Sequence, residues 1–286
     1  MTVTYNQDLT LYNSYRIESR CKRAFFPEKE EDFITIFSKY PESKKIILGG
    51  GYNVILSKSH YEEDFIIMGS NFSKVNLLSD TRIEAEAGID LKTLSELAQA
   101  KGLTGMEMFY DIPSSLGGAV VMNAGASGIE IKDVLVKVRY LDLEDIGIKE
   151  IENSKIEFEY RNSFFQKNPN KIILKVWLDL SKGESEAIRE EMERIKTLRW
   201  SKQPKDFPNA GSVFKRPTGH YVGTMIEELG LKGLTVGGAQ VSEKHAGFIV
   251  NSNGASGKDI IELIKIIQHR VWENYQVNLE VEQRII

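Results

Sequence analysis

Ser212 lies in the stretch FPNAGSVFKRPTG, Phe207 to Gly219, where a small, polar Ala-Gly-Ser is followed at once by Lys215 and Arg216. A serine hydroxyl there can deliver a proton, or it can close a turn or cap a helix, since serine is favoured in both. No histidine-carboxylate pair accompanies it, as attack by a serine nucleophile would require. Arg161, in EYRNSFF, carries a planar and always-charged fork that suits carboxylate recognition, although most arginines are exposed salt-bridge partners. In NLEVEQRII, an extended chain puts Glu280, Glu282 and Arg284 on one face and Leu279 and Val281 on the other. That face is either a solvated edge or a pair of carboxyl groups at a site. Lys244 and His245 sit in VSEKHAG beyond a glycine segment; a solvated lysine is the ordinary alternative. His245 has no second ligand at helical spacing, so it reads as a phosphate or packing contact and no metal is expected.

Two glycine-rich segments stand apart, LGGGYN (Leu48 to Asn53) and IPSSLGGAVVMNAGASG (Ile112 to Gly128). Glycine permits positive φ and lets backbone N–H groups approach an anion, so such turns can cradle phosphate; they can equally be tight turns under close packing. Neither the dinucleotide pattern G-x-G-x-x-G nor a P-loop occurs, so a nucleotide would be held by neither of those cradles.

These residues need a scaffold of about two domains, given 286 residues at roughly 150 per domain. The 41% hydrophobic content supports real cores, and a net charge of −4 gives no general attraction to nucleic acid or anionic membranes. Anionic ligands must therefore meet locally placed cations. Cys21 is the one cysteine, which excludes an intrachain disulfide and a multi-cysteine metal site. The N-terminus lacks the plan of a signal peptide and no window approaches the roughly 18 apolar residues of a membrane span, so the cytoplasm is expected.

Helices are predicted over Glu30 to Tyr40, from an Asp90 cap to Lys101, over Glu184 to Trp200 with a stripe of Ile188, Met192, Ile195 and Leu198, and over Ser256 to Tyr275 with a Ser256/Asp259 capping box. Strands are predicted in KKIIL, DFIIMG, RIEAEAG, VLVKVRYLDL and IILKVWLDL. The stretch SKQPKDFPNAGS reads as a loop and a domain boundary. Strands and helices are interspersed without strict alternation, which makes the fold class α+β.

The ordered set LGGGYNVILS, IPSSLGGAVVMNAGASGIEI, YRNSFF, PNAGSVFKRP, LKGLTVGGAQVSEKHAGFIVN and NLEVEQRII covers nearly the whole chain and resembles the UDP-N-acetylenolpyruvoylglucosamine reductases. The resemblance implies a FAD-binding domain of the vanillyl-alcohol-oxidase type, made of two α+β subdomains, and a C-terminal α+β substrate-binding domain. Residues 1–54, with 279–286 returning to them, and 55–200 would form the two flavin subdomains; 201–278 would bind substrate. The short spacing from YRNSFF to PNAGS resembles the subclass without an extra substrate-capping loop. Tyr52 and Ser114 depart from the family pattern, and RIESRCKRAFF stands where a Gly-Gly-Pro-like turn is usual.

The implied reaction has NADPH reduce FAD, after which hydride passes to C3 of an enolpyruvyl ether and a proton to C2. By resemblance Ser212 donates that proton, Arg161 pairs with the substrate carboxylate, and a Glu282 that keeps its own proton assists, with Glu280 as the register alternative. FAD contacts are expected at Gly49, Gly50, Gly51, Tyr52, Asn53, Ile112, Pro113, Ser115, Gly117, Gly118, Asn123 and Gly125. Lys215, Arg216, Lys244 and His245 are assigned to the UDP diphosphate, Gln240 and Asn251 to polar contacts, and Tyr160 and Tyr221 to covering substrate or flavin. The expected partners are UDP-N-acetylglucosamine-enolpyruvate and NADPH, with no nucleic acid, no membrane insertion and a monomeric state. Another flavin oxidoreductase, such as an alcohol or sugar oxidase, and a non-catalytic flavin sensor are the competing readings.

Overall fold

A computed structural model describes all residues, 1–286. The chain divides into two compact units, one of residues 1–4, 23–50 and 63–198, the other of 5–22, 51–62 and 199–286. No helix is long and apolar enough to cross a membrane.

The first unit is organised by a five-stranded antiparallel sheet in the order Gly147–Glu152, Leu135–Asp142, Lys171–Asp179, Arg82–Glu86, Val75–Leu77. The alternation read in RIEAE holds: Ile83 and Ala85 point inward and are fully buried. Their register pairs Ala85 with Val176 and Ile83 with Leu178, two further core positions. Helix Leu91–Ala100 starts where expected, with the Asp90 carboxylate accepting the Thr93 N–H at 2.9 Å. It buries Leu91, Leu94 and Ala98 in the same core, each large side chain contributing about 1.5–3 kcal/mol. Strand Lys45–Leu48 runs parallel to the end of His60–Ile67 and delivers the chain into the first glycine segment. The helix Ser185–Lys202 buries Ile188, Met192 and Ile195, but Leu198 is 48% exposed, so the apolar stripe ends one turn sooner than its spacing suggests.

In the second unit, helix Gly257–Tyr275 packs on a three-stranded sheet of Thr235–Val236, Ala239–Val241 and Ile249–Asn251. Its predicted capping box is present: Ser256 Oγ accepts the Asp259 N–H, and Asp259 accepts the Ser256 N–H at 2.8 Å. Ile260, Ile264, Ile267 and Val271 are buried as the stripe predicts.

The stretch expected to be a loop is still helical at Ser201 and Lys202 and is irregular only from Gln203 to Phe207. From Pro208 it is paired on both sides. The Asn251 N–H reaches Pro208 O, the Val213 N–H reaches Gly247 O, and Phe214 faces Val281 in an antiparallel bridge. The chain then closes with Arg284–Ile285 in parallel pairing with Val54–Ile55, directly after the first glycine segment.

Candidate functional site

The two glycine segments answer differently to the choice between anion cradle and packed turn. In the second, the amides of Leu116 and Gly117 donate to Ile89 O and Ala87 O, and the Gly118 N–H to Ser115 Oγ. These N–H groups at the start of helix Leu116–Met122 are already committed within the protein. In the first, the backbone N–H groups from Gly49 through Asn53 donate to no acceptor in the protein. Five consecutive free donors suit an anion such as a diphosphate. Gly49 also has to be glycine: a Cβ there would lie 2.4 Å from Ser115 Oγ, which is how the first unit brings these two segments together.

Asn123 closes the glycine helix in the left-handed conformation, with φ 44°, and is fully buried. Its Nδ2 donates to Glu130 Oε2 and Glu159 O, which fixes the amide orientation, while Oδ1 has no partner in the protein. A buried acceptor left unpaired is costly unless a ligand satisfies it. Free amides, an orphaned acceptor and closely approached glycines fit FAD. Tyr52 and Pro113 are exposed, and Ile112, next to Pro113 in the chain, is half-buried.

Arg161 is held at the tip of a tight turn. Glu159 and Asn162 exchange backbone hydrogen bonds, leaving Tyr160 and Arg161 between them. Arg161 takes φ 55°, a conformation that costs a residue with a Cβ roughly 1–2 kcal/mol. Strain of that kind collects where a side chain is needed in one place. The guanidinium donates to Gly125 O at 3.0 Å and lies 5.0 Å from the Tyr160 ring centroid, with Tyr160 half-exposed. Arg161, Asn123 and Gly125 are thus one local cluster of the first unit.

Ser212 and Glu282 meet in the second unit on adjacent paired segments. The Glu282 N–H donates to Val213 O at 2.8 Å, and Asn53 Nδ2 donates to Glu282 O at 3.2 Å. Ser212 is exposed and Glu282 half-buried. Glu280, the register alternative, is engaged elsewhere: it is 69% exposed and pairs with Lys215 Nζ at 2.6 Å. Two residues outside the sequence-based set also belong here. Gln283 is buried, with Nε2 directed at Ala210 O and Gly211 O (3.1 and 3.2 Å) and Oε1 accepting from Tyr15 Oη at 2.9 Å. No local pattern marks either one.

The cations expected at a diphosphate fare unevenly. Arg216 is exposed, its guanidinium 3.8 Å from the centroid of the exposed Tyr221 ring. Lys244 is exposed and anchored to Trp200 O at 2.7 Å. Lys215 is already neutralised by Glu280, so an anion would compete for it. His245 Nδ1 accepts the Gly247 N–H at 3.0 Å, which requires that nitrogen to be unprotonated, and burial pushes the imidazole below its ordinary 6.5. His245 is therefore a neutral donor through Nε2 and not a cation. Gln240 reaches Gly233 O at 3.4 Å. Asn251 is consumed internally, donating to Tyr15 O and accepting from the Ala255 N–H.

Known proteins match this arrangement over its full length. Residues 203–286 match the profile of the UDP-N-acetylenolpyruvoylglucosamine reductase C-terminal domain, and residues 22–145 match an FAD binding domain. The UDP-N-acetylenolpyruvoylglucosamine reductase of Caldanaerobacter subterraneus is 39% identical over 98% of this chain and 92% of its own. That of Francisella tularensis is 39% identical over 97% of this chain and 98% of its own. The crystal structure of the Thermus caldophilus UDP-N-acetylenolpyruvylglucosamine reductase superposes with a TM-score of 0.84 at 30% identity, covering 99% of this chain and 98% of that one. The chain belongs to the UDP-N-acetylenolpyruvoylglucosamine reductase family, FAD-dependent oxidoreductases of α+β fold.

Proposed function

We propose that this protein reduces the enolpyruvyl ether of UDP-N-acetylglucosamine-enolpyruvate to the lactyl ether of UDP-N-acetylmuramate, for peptidoglycan synthesis, with NADPH as the reductant. Residues 1–54 with 279–286, and 55–200, hold FAD; residues 201–278 bind the nucleotide sugar. NADPH is a metabolite of the cell interior, so the enzyme works in the cytoplasm, as a monomer.

FAD, when bound, supplies the redox chemistry, taking two electrons from NADPH and giving hydride to C3 of the ether. The residues of the chain manage the charge and proton that remain. Negative charge at C2 spreads into the neighbouring carboxylate, and Arg161 pairs with that carboxylate through its planar fork. Ser212 delivers the proton to C2. A hydroxyl is a weak acid, yet the carbanionic carbon is a strong base and short-lived, so no histidine is needed. Glu282, protonated, hydrogen-bonds to the same carboxylate. Arg216 and Lys244 are the exposed cations available to the diphosphate, and His245 contributes a neutral N–H.

The observation that supports these roles best is the pairing of Ser212's segment with that of Glu282, with Ser212 exposed while Glu280 is tied to Lys215. Purified protein should be yellow and should sustain NADPH oxidation beyond one equivalent per flavin only when the enolpyruvyl substrate is added. Colourless protein that cannot be reconstituted with FAD, or NADPH oxidation that oxygen alone sustains at the same rate, would contradict the proposal.

A further inference from the structure

We infer that Gln283 is a positioning residue for Ser212, and that the Tyr15 hydroxyl sets the direction of its amide; this rests on Ser212 being the proton donor. The residue before Ser212 is Gly211, at φ 78° with no atom within 4 Å of where a Cβ would be. No side chain of its own restricts rotation there, and its N–H is held by Asn209 Oδ1 at 3.1 Å. The peptide on the far side of Ser212 is fixed, because the Val213 N–H is bonded to Gly247 O and Val213 O to the Glu282 N–H. On its N-terminal side Ser212 has a bridge to Phe248 and the Asn209 bond to Gly211, and a further hold acts on the carbonyls there.

Gln283 supplies it. Its buried Nε2 faces Ala210 O at 3.1 Å, Gly211 O at 3.2 Å and Ser212 O at 3.5 Å, so one amide group gathers the carbonyls on either side of the serine. The amide works only one way round, since its oxygen turned toward those carbonyls would repel them. Tyr15, fully buried, decides the matter by donating to Oε1 at 2.9 Å. Burial pushes the phenol well above its ordinary range, so it keeps its proton at working pH. Tyr15 is itself held by its carbonyl, which accepts from Asn251 Nδ2 at 2.8 Å. A displacement of about 1 Å at a reacting group can cost on the order of 10²-fold in rate, and this clamp is what limits such displacement at the hydroxyl.

The test is the anaerobic reoxidation, by substrate, of holoenzyme already reduced with NADPH, in Gln283→Leu, Tyr15→Phe, Ser212→Ala and the double variant Ser212→Ala/Gln283→Leu. Gln283→Leu should slow this step by roughly 10–100-fold and Tyr15→Phe by roughly 3–10-fold, both within what misplacement costs. Reduction by NADPH should stay near wild type, and the solvent deuterium isotope effect on reoxidation should rise. In the Ser212→Ala background, Gln283→Leu should add nothing further, which a general structural role cannot mimic. Equal slowing by Gln283→Leu with and without Ser212 overturns the inference, as do wild-type reoxidation rates in folded Gln283→Leu or Tyr15→Phe protein. If Gln283→Leu does not fold, Tyr15→Phe, which keeps the shape and deletes one hydroxyl, decides. A wild-type rate in Ser212→Ala alone instead removes Ser212 as the donor, and the clamp's role with it.

Discussion

The Arg161 cluster and the Ser212 segment both present one functional side chain on irregular backbone, yet they are held by different means. Around Arg161 a steric restraint is added to the hydrogen bonds of the turn: Gly125 leaves no room for a Cβ, which would fall 2.1 Å from Ile129 O, and the arginine donates to the carbonyl of that same glycine. Around Ser212 the restraint is polar: Gln283 and Asn209 hold backbone groups of a segment whose one glycine has open space beside it. Close packing is added to hydrogen bonds in the first, whereas the second depends on directional hydrogen bonds around an unpacked glycine. Substitutions should accordingly damage stability in the one and turnover in the other.

The largest contrast is expected within the polar region. Glu282→Gln should lower kcat by about 10²–10³-fold, the usual cost of one key polar group at a reacting centre. Glu280→Gln, at an exposed residue paired with Lys215, should change kcat only a few-fold; equal losses would return the register to question.

Next come the two glycines. Gly125→Ala should cost about 1–3 kcal/mol through overpacking against fixed backbone and should lower the melting temperature by several degrees. Gly211→Ala meets no atom, so its cost should be limited to about 1 kcal/mol of backbone strain, while slowing reoxidation more than its loss of stability explains. A reversal of these stability effects, read by thermal melts, would break the comparison. Ser256→Ala removes half of a capping box and should cost about 1 kcal/mol by denaturant unfolding.

The smallest effect concerns pH. His245 is held below its ordinary 6.5 by burial, so as pH falls through 6.5 the unfolded chain takes up a proton that the folded chain refuses. Its contribution to stability is therefore complete above that value and declines below it. Urea midpoints at pH 7.5 and 5.5 should differ more for wild type than for His245→Gln.

Local signals were legible wherever their cause is local. Asp90, the Ser256/Asp259 box and the stripe from Ile260 to Val271 act within a turn or two, and all were readable from spacing. Leu198 lies outside the core although it shares the stripe, because periodicity shows which residues share a face, not where the core ends. The span from Pro208 to Ser212 reads as loop because it contains proline and glycine and the pairing partners of this part of the chain lie near residues 247–251 and 280–282. The glycine segments were visible as glycines, but their sequence does not distinguish the committed amides at Leu116 to Gly118 from the free ones at Gly49 to Asn53. The Tyr15–Gln283 hydrogen bond joins residues 268 positions apart, a separation at which no sequence pattern carries information.

Ser212 as the source of the C2 proton is tested most directly by separating the two half-reactions without oxygen. In Ser212→Ala, bleaching of the flavin by NADPH should proceed at the wild-type rate while its recovery with substrate slows by at least about 10²-fold. Recovery at the wild-type rate, or equal slowing of both halves, would contradict it.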